Sequence, residues 1–175
     1  MTIHTGHPFA EADPDPVRRF RGRLGAAVTL WTAGDAADRA GLTVTSLMVA
    51  GGEPGRVLAL LDPDADLTSR LEETGRGVVV LLGWQHRHLA DAFAGTAPAP
   101  GGAFRTGDFE DTPSGPRLAD CDSWASVVLE DLHDVGWSRL VTCTLGEIVV
   151  GNDDTEPLLH RRGRWVRPGA LGSAP

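Results

Sequence analysis

The chain has 175 residues, 41 % of them hydrophobic and 23 % charged, with a net charge of −8 and no Lys. That length and balance fit one soluble domain with a core of its own. The acidity argues against a general binder of nucleic acid or anionic membrane, and no apolar run approaches the roughly 20 residues of a membrane helix.

The first residues, MTIHTGHPFAEADPDP, have no basic start followed by an apolar stretch, so they do not read as a secretory signal. A cytoplasmic location is the expectation. Residues 1–15 are polar and Pro-rich and read as a flexible arm, 16–167 as the domain and 168–175 as a tail. Asp15-Pro16 offers an N-cap and an N1 proline. Val17, Phe20 and Leu24 follow at helical spacing, and Gly25 stops the helix. AAVTLWTA, from Ala26 to Ala33, reads as a strand, GDAADRAG as a polar connection, and Gly41 opens a second strand.

That second strand, GLTVTSLMVAG at 41–51, carries three hydroxyls on Thr43, Thr45 and Ser46, and Ser46 breaks its alternation. Either it is a strand with one wet face or its end hydrogen-bonds a flat polar heterocycle. GGEPG is a turn and RVLALLD a short buried strand. Asp64 is the expected cap of a helix over 65–74, with Gly75 just past its end. GVVVLLG reads as the most apolar strand, and 85–93 as a helix with Leu89, Ala92 and Phe93 on one face. Residues 94–116, rich in Gly, Pro, Ala and Thr, read as a long loop. Two long strands follow, joined by a turn near Asp134-Val135-Gly136, and then a short closing segment, PLLHRRGRWVRPG. Hairpins dominate this order, so a largely antiparallel, mainly β fold is expected. About six or seven strands with a few short helices suggest a closed or partly closed β-barrel.

Metal and nucleophile motifs are missing. Cys121 and Cys143 have no metal-ligand spacing and read as buried free thiols. His86 and His88, two apart on a helix, point to different faces, so a shared metal site is not expected and neither is any other. They read as surface histidines, or one as a loop cap. No dinucleotide fingerprint, GxSxG, HExxH or CxxC occurs, so no catalytic side chain is assigned, and a bound cofactor would carry any chemistry. Arg161, Arg162, Arg164 and Arg167 form either a solvated terminus or a phosphate site. Trp165 among them either stacks on a ring or covers the barrel end.

Taken in order, these pieces resemble the flavin reductase family, whose fold is a six-stranded antiparallel split barrel that binds FMN. RFRGRLGAAVTLWTA matches the family's opening helix and strand in outline, and GLTVTSL at 41–47 matches its G-M/L-T-V-S-S-F nearly position for position. PGRVLALLD, ETGRGVVVLL, HLADAFAG, SGPRL and PLLHRRGRW correspond to the later motifs, so the resemblance spans about residues 17 to 166. It implies an NAD(P)H-dependent flavin reductase passing hydride to flavin N5. The flavin is FMN, with FAD or a diffusible flavin as variants, and NADH or NADPH is the co-substrate. A homodimer and a partner flavin-dependent monooxygenase are implied as well. The alternative is a flavin-binding barrel without turnover.

By the same resemblance, Thr43, Val44, Thr45 and Ser46 lie along the flavin ring. Leu61 and Asp62 flank it, and Ala65, Asp66, Leu67 and Thr68 stand at the phosphate. His160, Arg161 and Trp165 meet the nicotinamide or its phosphates. Three departures accompany this. Ala65, Asp66 and Leu67 replace the family's S-R-T, Val80 replaces an Asn, and His160 and Arg161 replace a Tyr and a His.

Overall fold

A computed structural model describes residues 15–152 and 154–168. Apart from Asp15 and Pro168, the arm and tail expected at the two ends lie outside those residues. Helix α1 (Pro16–Arg23) starts as its sequence dictates: Asp15 accepts the Val17 N–H at its N-cap, and Pro16 opens the first turn. Val17, Phe20 and Leu24 are all exposed, so the helix does not rest on the core.

The stretch read as one strand over 26–33 divides at Val28. Strand β1 (Ala26–Ala27) belongs to one sheet and β2 (Thr29–Ala33) to another. The stretch read as one strand over 41–51 also divides, into β3 (Ala40–Val44) and β4 (Leu47–Ala50). Then come β5 (Arg56–Leu61), α2 (Asp66–Thr74), β6 (Arg76–Leu81), a 3-10 turn at Trp84–His86 and α3 (Arg87–Phe93). A second 3-10 turn (Ala103–Thr106) leads to β7 (Phe109–Thr112) and β8 (Gly115–Leu118). The long hairpin is β9 (Trp124–Val135) and β10 (Ser138–Val149), and the chain closes with β11 (Leu159–Arg161) and β12 (Arg164–Val166).

The main sheet is antiparallel, in the order β3-β2-β6-β9-β10-β5-β4. Its two edge strands, β3 and β4, are joined by Thr45 and Ser46 alone. Three residue steps span at most about 11 Å. The edges must therefore come together, and the sheet curls into a split barrel. The antiparallel barrel class holds, but the main sheet has seven strands where six were expected. One further strand comes from the break in 41–51, where the chain leaves one edge for the other.

Inside the curl lie Trp31, Val44, Val57, Leu61, Val127 and Cys143, with Leu67 and Leu71 of α2 against them. A second core forms on the outer face of β2 and β6, where Leu30, Val78 and Val80 meet Leu89 and Phe93 of α3, Leu118, Trp124 and Leu158. Strand β6 is apolar on both faces because Val79 enters the first core while Val78 and Val80 enter the second. Burying Val80 at 0 % exposure also explains why no Asn stands there: an amide would need partners in an apolar layer.

The long loop expected over 94–116 is a correction. Its second half forms the 3-10 turn and the β7–β8 ribbon. Phe93, Phe104 and Phe109 pack edge to face, with centroids 4.9 to 5.8 Å apart, and anchor it to α3. The Gly and Pro content concealed these aromatic contacts. Both thiols are buried and free, and burial pushes the Cys121 thiol up to about 11 and the Cys143 thiol up to about 12. Among the described residues no helix is long and apolar enough to cross a membrane.

Candidate functional site

The crossing segment Thr45-Ser46 lies beside the end of β5. The Ser46 carbonyl accepts the Leu60 N–H at 3.0 Å, and its hydroxyl donates to the Leu60 carbonyl at 2.8 Å. The Thr43 hydroxyl donates to the Ala90 carbonyl of α3 at 2.8 Å, tying β3 to that helix. Thr45 differs: its hydroxyl makes no hydrogen bond among the described residues and is half-buried. Val44 and Leu61 have their side chains in the first core, so only their backbone can face a ligand.

After β5 the chain turns on Asp62, whose carboxylate accepts the Asp64 N–H at 2.9 Å. The Asp62 carbonyl takes the Ala65 N–H and, at 2.7 Å, the hydroxyl of the buried Thr68. The helix cap expected at Asp64 is therefore displaced: Ala65 is the N-cap of α2 and offers no side-chain bond. Asp66 in the first turn is favourable for the helix dipole, which explains the carboxylate locally. Leu67 is in the core, 1 % exposed. Thr43–Ser46, Leu61–Asp62 and Ala65–Thr68 thus gather at one end of the barrel through these bonds.

His160, Arg161 and Trp165 sit on the separate β1-β11-β12 sheet. Trp165 donates its indole N–H to Asp91 at 2.9 Å, one residue from the carbonyl that holds Thr43, so α3 bridges the two groups. The His160 and Trp165 rings meet edge to face at 5.3 Å. Burial, helped by the Arg21 charge, holds the His160 pKa below its ordinary value. Arg161 is exposed beside Gly25. His86 is buried and is the loop cap: its Nδ1 accepts the Gly83 N–H at 3.1 Å, and Nε2 lies 3.2 Å from Asp120 without hydrogen-bond alignment. Exposed His88 is apart from it, and no group of three His, Cys, Asp or Glu among the described residues could hold a metal ion.

A cavity of about 310 Å³ opens against β3 and the start of α2. Of the anticipated site residues only Asp66 lines it. Its other walls include Arg39, Gly41, Phe93, Gly95 and Phe104. The Arg39 guanidinium lies 4.4 Å over the Phe104 ring. Arg39 escaped the sequence reading because it stands in a polar connection. Its place directly before β3, which opens at Ala40 one residue ahead of the expected Gly41, was the available signal. Gly41 is required by close approach, since a Cβ there would lie 2.6 Å from the Phe93 ring. The residues present fit a flavin in chemical kind: a free hydroxyl and backbone groups along the crossing segment, and a cavity with one guanidinium beside it.

Three likenesses agree with this architecture. FMN reductase (NADH) RutF of Agrobacterium fabrum is 28 % identical over 149 residues, 85 % of this chain and 84 % of that protein. NADH:FMN oxidoreductase of Rhodococcus qingshengii is 29 % identical over 150 residues, 84 % of this chain and 78 % of that protein. The crystal structure of nitrilotriacetate monooxygenase component B from Mycobacterium thermoresistibile superposes with a TM-score of 0.80 at 22 % identity, over 91 % of this chain and 88 % of that one. The family model for the flavin reductase like domain matches residues 21–168, from the last turns of α1 to the end of the closing hairpin. With the curled sheet, the crossing segment and the closing hairpin all inside that match, the chain belongs to the flavin reductase like domain family.

Proposed function

We propose that this protein is an NAD(P)H-dependent flavin reductase. The observation that carries the reading is the family match over residues 21–168, which contains the crossing segment, the α2 start and the closing hairpin together. The two curated relatives are named as NADH-dependent enzymes acting on FMN, which favours FMN and NADH over FAD and NADPH. When bound, the flavin supplies the hydride-accepting atom, N5, and the nicotinamide supplies the hydride.

The chain's own contribution is orientation and exclusion of water. With a flavin bound, Thr45 would donate to the polar edge of the ring, and the backbone of Val44, Ser46 and Leu61 would flank it. Asp62, Ala65, Leu67 and Thr68 shape the turn below, mostly through backbone. Trp165 and His160, held against α3, would form the wall for the nicotinamide, with Arg161 at its outer side. No side chain is needed as an acid or base.

The enzyme works as a homodimer in the cytoplasm and passes reduced flavin to a partner oxygenase. For the dimer, the outer faces of β4, β5 and β10 present Met48 paired with Leu58 and Leu60 paired with Leu140, with Met48 and Leu60 exposed. For the partner, the structural relative is by name one component of a monooxygenase.

The test is NADH oxidation by purified protein with and without added FMN, beside an FMN fluorescence titration. Flavin-dependent oxidation is expected. Saturable binding without turnover would leave a flavin-binding barrel, and no binding would remove the flavin assignment.

A further inference from the structure

We propose that Arg39 and Asp66 act as a compensating pair at the flavin site, so that it accepts riboflavin about as well as FMN. This rests on the flavin reading above and sharpens it to a substrate class: flavins selected by ring and ribityl chain, not by phosphate.

Charge sets the preference. Both side chains line the same cavity, yet among the described residues neither is in an ion pair. Arg39 is steadied instead by the Phe104 ring beneath its guanidinium. Among the described residues no other charged one lines that cavity. A phosphate monoester carries between one and two negative charges at neutral pH. One guanidinium on the cavity wall attracts it, and one carboxylate on the same wall repels it. The remaining walls, Phe93, Phe104, Ala92 and Gly95, favour apolar or uncharged parts of a ligand. A site of this composition gains little from a phosphate, whereas the uncharged portion of a flavin keeps all its contacts.

The experiment is a fluorescence-quenching titration with riboflavin, FMN and FAD of the wild type, Asp66→Asn and Arg39→Gln, each first checked for an unchanged circular dichroism spectrum. The wild type should bind riboflavin and FMN within about threefold of one another, because the two opposite charges lining one cavity offset each other. Asp66→Asn should tighten FMN by about tenfold and Arg39→Gln weaken it by about tenfold, each leaving riboflavin within about twofold. The shifts on FMN should shrink as salt is raised. Wild type preferring FMN over riboflavin by about a hundredfold, or variants moving both flavins equally, would overturn the pair. Wild type binding no flavin at all would overturn the functional reading itself, and this inference with it.

Discussion

At the ring end of the proposed site and in the turn below it, the hydroxyls of Thr43, Ser46 and Thr68 are all engaged, donating to the carbonyls of Ala90, Leu60 and Asp62 at 2.8, 2.8 and 2.7 Å. At the cavity end, Arg39 and Asp66 carry opposite charges with no ion pair between them or to others among the described residues. The contrast separates two meanings of a polar residue. Hydroxyls that suggest ligand binding in the sequence fasten one element to another in the fold, keeping only their lone pairs for a ligand. Charges that suggest an ordinary solvated loop and helix start are the ones left facing a cavity. Substitutions at the engaged hydroxyls should therefore change stability, and substitutions at the charges facing the cavity should change selectivity.

The largest effect is expected at Leu61, 1 % exposed where β5 reaches the ring end. Leu61→Ala should lose about 2–5 kcal/mol in chemical denaturation through lost burial and a residual cavity. Gly41→Val tests the border between the two ends. Its Cβ would lie 2.6 Å from Phe93, and overpacking should destabilise by about 1–3 kcal/mol while narrowing the cavity. Thr43→Val should cost about 0.5–1.5 kcal/mol. The Ala90 carbonyl keeps its bond from the Ala94 N–H, so no buried acceptor is orphaned.

A smaller change is expected with pH. The folded His160 pKa is depressed below 6.5, mainly by burial, so the unfolded chain takes up the proton first as pH falls. The stability this residue contributes is thus complete above 6.5 and declines below it until the folded pKa is reached. Replacing His160 with Gln should flatten that part of a stability-versus-pH curve. The smallest stability effect is expected at Thr45, whose hydroxyl has no partner among the described residues: Thr45→Val should stay within about 0.5 kcal/mol of wild type. It should still weaken riboflavin and FMN alike, by about three- to tenfold, as one hydrogen bond is lost. A large loss of stability at Thr45, or none at Thr43, would erase the distinction between polar groups that fasten the fold and those left for a ligand.

The sequence by itself determined whatever depends on neighbours along the chain. Asp15-Pro16 opening α1 and Gly75 closing α2 follow from capping chemistry and from a left-handed residue that glycine adopts freely, with φ at +67°. The apolar runs located the inner strands, and the ordered motifs located the family. The end of α2 was legible and its N-cap was not, because two aspartates stand before the helix and it is Asp62 that accepts the Asp64 N–H and, through its carbonyl, the Thr68 hydroxyl. Tertiary structure alone decided the rest. A period of two marks a strand but not which sheet it joins, so the switch at Val28 and the break at Thr45-Ser46 appear only when distant partners pair. The loop of 94–116 became a packed ribbon because Phe93, Phe104 and Phe109 met, and Arg39 came to line a cavity with Asp66 because β3 and α2 pack together. Those are contacts between residues far apart in the chain, set by the curl of the sheet, and no local pattern encodes them.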